Sequence, residues 1–210
     1  MTSTAEVKRQ YDATEVPAIV AASVKLGLLE AALVLLFSLA SRFLGGPIEI
    51  VVCALILLVG LAAVTMLPGL WTRAFTIEGI AGAAGIGLGA AAVFLLVDVI
   101  LLQNIGTYSH RWHEIGGGSN WWYHPVWWMV GSFLPWMGAW ILANQTARDG
   151  RPAAGLGLLT ALVAAIVIAV LAILLGFPGA RWTLGTFGVA FLPGLVVATI
   201  ASSVIGKRAA

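Results

Sequence analysis

Charge is scarce in this chain: Asp, Glu, Lys and Arg make up 10% of its residues, against about 25% in an ordinary soluble domain. Apolar residues reach 60% and the mean hydropathy is +1.01, more apolar surface than a water-soluble fold of this size can hide. The few basic residues are scattered and the formal net charge is only +2, so the clustered cationic face that nucleic acid requires is missing. The single cysteine, Cys53, excludes an internal disulfide and reads as a small buried or lipid-facing hydrophobe. No phosphate-binding glycine loop is present, which argues against a nucleotide site. The 25 glycines show no three-residue period, which excludes collagen and leaves close helix packing in lipid as their use.

What the chain does have is long apolar runs. Crossing roughly 30 Å of hydrocarbon takes about 20 residues at 1.5 Å per residue. Runs at 17–43, 48–70, 76–103, 125–145, 153–176 and 183–205 meet that length. The expectation is therefore an all-α, polytopic membrane bundle of about six helices, one transmembrane domain over 1–210. Gly45-Gly46-Pro47, Pro68-Gly69, Asp149-Gly150-Arg151-Pro152 and Phe177-Pro178-Gly179 supply the breaks, since these residues disfavour helix continuation. Pro17 and Pro152 suit first turns, whereas Pro135 and Pro193 fall inside spans and predict kinks. Residues 1–16 are polar and mixed in charge, and the run that follows is too long for a signal peptide, so it reads as a retained helix.

Lys and Arg in the connections set the orientation. With the N-terminus inside, Lys8, Arg9, Arg73, Arg148, Arg151, Lys207 and Arg208 are cytoplasmic and only Arg42, Arg111 and Arg181 lie outside. That bias predicts a plasma or inner membrane protein with both termini cytoplasmic and the longest connection, 104–124, on the outer face.

The outer connection concentrates chemistry. It holds all three histidines, His110, His113 and His124, and imidazole is a ligand for zinc, copper or iron that Glu114 or Asp98 could complete with a carboxylate. The run His110-Arg111-Trp112-His113-Glu114 resembles a histidine box of membrane di-iron hydroxylases, but it is one residue short and three histidines are too few for that centre. The spacing permits a metal site without specifying one, and no cofactor is assigned. Trp121, Trp122, Trp127 and Trp128 stand where the chain re-enters the membrane, the place of an aromatic belt. Trp136 and Trp140 run deeper on one helical face, where a pigment, quinone, lipid tail or neighbouring helix could pack.

Three acidic or basic residues fall more than a turn inside the ends of the spans: Lys25, Glu30 and Asp98. A charge in hydrocarbon costs about 3 kcal/mol even on insertion scales, so each needs a partner, a proton or water. Lys25 can snorkel to the cytoplasmic boundary; Glu30, at mid-span, cannot. Asp98 lies about 13 Å from the middle of its span, so with Gln103 it reads as an anchor for the outer connection. Ala81, Gly85 and Gly89, four residues apart, form a row of small side chains for close helix packing, within the bundle or against a partner.

These features lead first to a non-catalytic membrane subunit of a larger assembly, respiratory or photosynthetic, whose Trp-rich face meets lipid, pigment, partner subunits or a second copy of the chain. The absence of a catalytic signature weighs against an enzyme. A small transporter or channel using Glu30 is the second reading, and an enzyme with a histidine-based metal site on the outer face is the third.

Overall fold

The computed structural model describes residues 14–74, 76–108, 124–149 and 154–207. Six helices account for nearly all of them: α1 Val16–Phe43, α2 Gly46–Trp71, α3 Ile77–Val97, α4 His124–Asp149, α5 Ala154–Leu174 and α6 Leu184–Lys207. Each contains a stretch long and apolar enough to cross a membrane, and no strand occurs among the described residues. The protein is a polytopic helical membrane bundle.

Local chemistry explains where the helices begin and end. Glu15 is extended before α1 and Pro17 occupies its first turn, where a missing N–H goes unnoticed. Thr76 caps α3 by accepting a hydrogen bond from the Gly79 N–H at 3.3 Å. The helix α3 widens at its far end into a π-helical turn, Asp98–Leu102, and the turn that follows contains Gly106, whose φ of +70° suits glycine. At the end of α5, Gly176 takes a φ of +67°, and the Phe177 N–H closes on the Ala172 carbonyl at 2.8 Å, the usual glycine C-cap.

One boundary differs from the sequence reading. The Pro68-Gly69 pair does not break α2, which runs on to Trp71. Pro68 costs the helix a donor, but its own carbonyl accepts both the Thr72 N–H at 2.9 Å and the Thr72 hydroxyl at 3.0 Å. That doubled bond closes the last turn.

Helices α3 and α4 lie at the centre. The former packs against α1 on one side and α4 on the other; the latter also meets α2 and α6, and α5 lies mainly on α6. Small residues let these backbones approach. A side chain at Gly87 would run into the Gly131 carbonyl and the Pro135 ring, and one at Gly194 would come within 2.8 Å of the Ala161 carbonyl oxygen. The core that results is built around Phe191, Leu26, Ile86, Ile141 and Leu195. Outward faces are as apolar as the core: Leu55 and Val59 on α2 are 56% and 57% exposed, acceptable against lipid tails and costly in water.

Successive helices alternate in direction. One end holds the starts of α1, α3 and α5; the other, the far end, holds the starts of α2, α4 and α6.

Candidate functional site

A cavity of about 400 Å³ opens in the far half of the bundle, within the size range of small-molecule sites. Glu30, Leu33, Val34 and Phe37 supply the α1 wall because residues three, four and seven apart share a helical face. Opposite stand Ile56, Leu57, Gly60, Leu61 and Val64 of α2. Ala91 and Phe94 of α3, and Val126, Trp127, Val130, Gly131 and Leu134 of α4, form the third side, and the first two turns of α6, with Gly185 and Gly188, form the fourth. Small residues hollow this space. A methyl group at Gly188 would meet nothing within 4 Å, and one at Gly60 would meet only the Leu33 side chain, at 3.5 Å.

Glu30 is the one ionisable group among the described residues lining the cavity. It lies midway along α1, roughly 20 Å from either end, too far for its side chain to reach water along the helix. No described residue gives it a hydrogen bond or an ion pair. Lys25 does not serve: five residues back it is rotated by roughly 140°, and it is exposed on the bundle's outer surface. A carboxyl group so placed keeps its proton or waits for a cation.

Aromatic side chains frame the far part of the cavity. Trp127 and Phe94 meet at a ring-centroid distance of 5.4 Å, tilted by 58°, a favourable arrangement for π systems. Behind them the far end is latched. Asp98, only 4% exposed, accepts a 2.7 Å hydrogen bond from the Gln103 amide and another from the Tyr108 phenol. Ser38 of α1 donates to the Thr107 carbonyl and Arg42 to the Gly106 carbonyl. The segment after α3 is thereby tied down onto the end of α1. Burial, the hydrogen bond to Asp98 and the charge of Asp98 together push the Tyr108 phenol above its ordinary range.

A second cavity of about 450 Å³ lies between α2, α5 and the start of α6, with Glu49, Cys53, Arg181 and Thr183 in its lining. Glu49 is 3% exposed; it is the second residue of the 48–70 run, and the sequence reading assigned it no role.

The residues singled out from sequence therefore scatter. Glu30 and Trp127 share the first cavity, and Asp98 belongs to the latch beside it. Trp128, Trp136 and Trp140 lie on the exposed face of α4. His110, His113, Glu114, Trp121 and Trp122 lie outside the described residues, and His124 is placed only as the first residue of α4. No group of three His, Cys, Asp or Glu side chains that could hold a metal occurs among the described residues. In the row of small residues, Gly89 meets Ser23 of α1, Gly85 has only the Ile19 side chain at 4.0 Å, and Ala81 is exposed. The tighter approach is made by Gly87, one helical face over.

The cavity walls were hard to find from sequence because they depend on Gly60, Gly131 and Gly188 lining one space from three helices. Each alone is an ordinary packing glycine. Comparison with protein families, with curated proteins and with solved structures gives no significant match to this chain.

Proposed function

We propose that this protein is a small membrane carrier whose substrate is an apolar molecule held in the Glu30 cavity. The observation that carries the reading is the cavity itself: about 400 Å³, apolar on every wall, with one unpartnered carboxyl group at mid-membrane depth. Cavities of this kind orient a ligand through few polar groups and bind it through buried apolar area. Small hydrated ions are a poor match, because the lining offers no array of carbonyl or hydroxyl oxygens to replace their water. Two walls, α4 and α6, contain an interior proline, Pro135 and Pro193. A helix interrupted in this way bends where the hydrogen bond is missing, and rocking of such helices gives alternating access to a site at mid-depth. The Lys and Arg distribution supports a plasma or inner membrane, cytoplasmic termini and a cavity lying toward the outer face.

The test is a thermal-stabilisation screen of the purified protein against lipophilic compounds, followed by flux of any hit in proteoliposomes. A carrier gives a stabilising hit whose flux is lost in Glu30→Gln while the variant stays folded. Absence of any stabilising compound, or flux unchanged by Glu30→Gln, overturns the reading.

One observation favours a different role. Trp136 and Trp140 are 45% and 37% exposed near the middle of the α4 span, deeper than an aromatic belt requires. A non-catalytic subunit of a larger membrane complex would use that stripe against a partner helix or pigment. Recovery from native membranes in a stoichiometric multi-subunit complex would favour it over the carrier.

A further inference from the structure

The chemistry of the Glu30 cavity narrows the class of molecule it fits. Among the described residues the only ionisable lining group is an acid, so an anionic ligand would find no counter-charge and an uncharged one would give the carboxyl no ionic partner. The aromatic side chains Phe37, Phe94 and Trp127 line the same space, and ring faces attract cations. A strongly hydrated cation would lose its water shell with nothing to replace it, whereas a charge spread over an apolar body loses little. No other titratable or charged side chain faces Glu30 from α2, α3, α4 or α6 among the described residues. Lys25 points away on α1, and Asp98 is held by Gln103 and Tyr108.

We propose that the cavity takes lipophilic monocations, apolar bodies carrying one weakly hydrated positive charge, in exchange for the proton of Glu30. The inference rests on the ligand-site reading above. In the empty cavity the carboxyl group carries its proton, since nothing else neutralises it. When the cation enters, the O–H bond of Glu30 breaks, the proton leaves to water, and the carboxylate pairs with the cation. Release reverses both changes. The bound and empty states thus differ by one proton and one cation, and the charge of the site stays constant.

The experiment compares tetraphenylphosphonium with the uncharged triphenylphosphine oxide on wild-type protein and Glu30→Gln in weakly buffered detergent. The expected result has three parts. The phosphonium binds wild type with release of about one proton, its affinity rises by about tenfold per pH unit while Glu30 is protonated in the empty state, and Glu30→Gln weakens it on the order of tenfold or more. Binding of the oxide is independent of pH and releases no proton, and an unchanged size-exclusion profile and unfolding midpoint show separately that Glu30→Gln is folded. If the oxide binds as tightly as the phosphonium, or phosphonium binding survives Glu30→Gln, the cation inference is overturned while the ligand site stands. If neither compound binds wild type, the ligand-site reading falls and the inference falls with it.

Discussion

Tyr108 donates its phenol hydrogen to the carboxylate of Asp98, ten residues earlier, across the turn that follows α3. Tyr108 packs, as Trp127 does, against the cluster of Phe94 and Leu102, so the latch at the far end and the aromatic wall of the cavity share one packed cluster. Gln103 satisfies the second carboxylate oxygen, and Ser38 and Arg42 hold the same segment from α1.

Removing the phenol hydroxyl takes one donor from a buried carboxylate. Tyr108→Phe is therefore expected to cost about 2 kcal/mol, seen as a lower midpoint of thermal unfolding in detergent. An unchanged midpoint would mean that water reaches Asp98 and the latch is not a closed unit.

Alkali offers a second view of the same bond. Free tyrosine titrates near pH 10, and Tyr108 is held above that by burial and by Asp98. Below about pH 10 the folded and unfolded chains both keep this proton and the bond contributes fully. Above it the unfolded chain loses a proton that the folded chain retains, so stability falls as pH rises. Tyr108→Phe should remove that part of the alkaline slope and delete the last phenolate transition in an absorbance titration. Loss of an early transition instead would show Tyr108 to be freely solvated.

Close packing in lipid is specific to position, which a pair of glycines on α3 can test. Gly87→Leu should abolish the monodisperse folded protein on size-exclusion chromatography, because the new side chain meets the Gly131 carbonyl and Pro135. Gly85→Ala should be tolerated, its methyl group lying 4.0 Å from Ile19, an ordinary contact. Equal damage from both, or from neither, would contradict the observed packing of α3 between α1 and α4.

Trp136 and Trp140 face outward, so Trp136→Ala combined with Trp140→Ala should change thermal stability by less than about 1 kcal/mol. If the stripe binds a partner subunit, the same variant should lose that partner on purification from native membranes. A large loss of stability in the isolated protein would place these side chains inside the bundle instead.

The membrane fold was legible because one physical constraint, the thickness of hydrocarbon, writes itself as long apolar runs. Helix ends followed from Pro17, Gly45-Gly46-Pro47 and Phe177-Pro178-Gly179 through local rules, and where the rule was too simple, at Pro68, the helix ran on with the Thr72 hydroxyl adding a second bond to the Pro68 carbonyl. Glu30 was legible as a residue demanding an explanation, since a mid-span carboxyl group is costly anywhere. Its surroundings were not. The faces of apolar helices carry little periodic signal, so nothing in the sequence said that Gly60, Gly131 and Gly188 would converge on Glu30 rather than on lipid. Trp127 illustrates the same limit: it has the sequence position of a belt residue and the structural position of a cavity wall.

Filling the cavity tests the central claim most directly. Gly188 faces open space, so Gly188→Phe should fold normally while occupying the volume beside Glu30. The measurement is native mass spectrometry of wild type and variant, purified side by side in gentle detergent from the same host. The account predicts a small-molecule adduct on wild type that is absent from Gly188→Phe; identical spectra from the two folded proteins would contradict it.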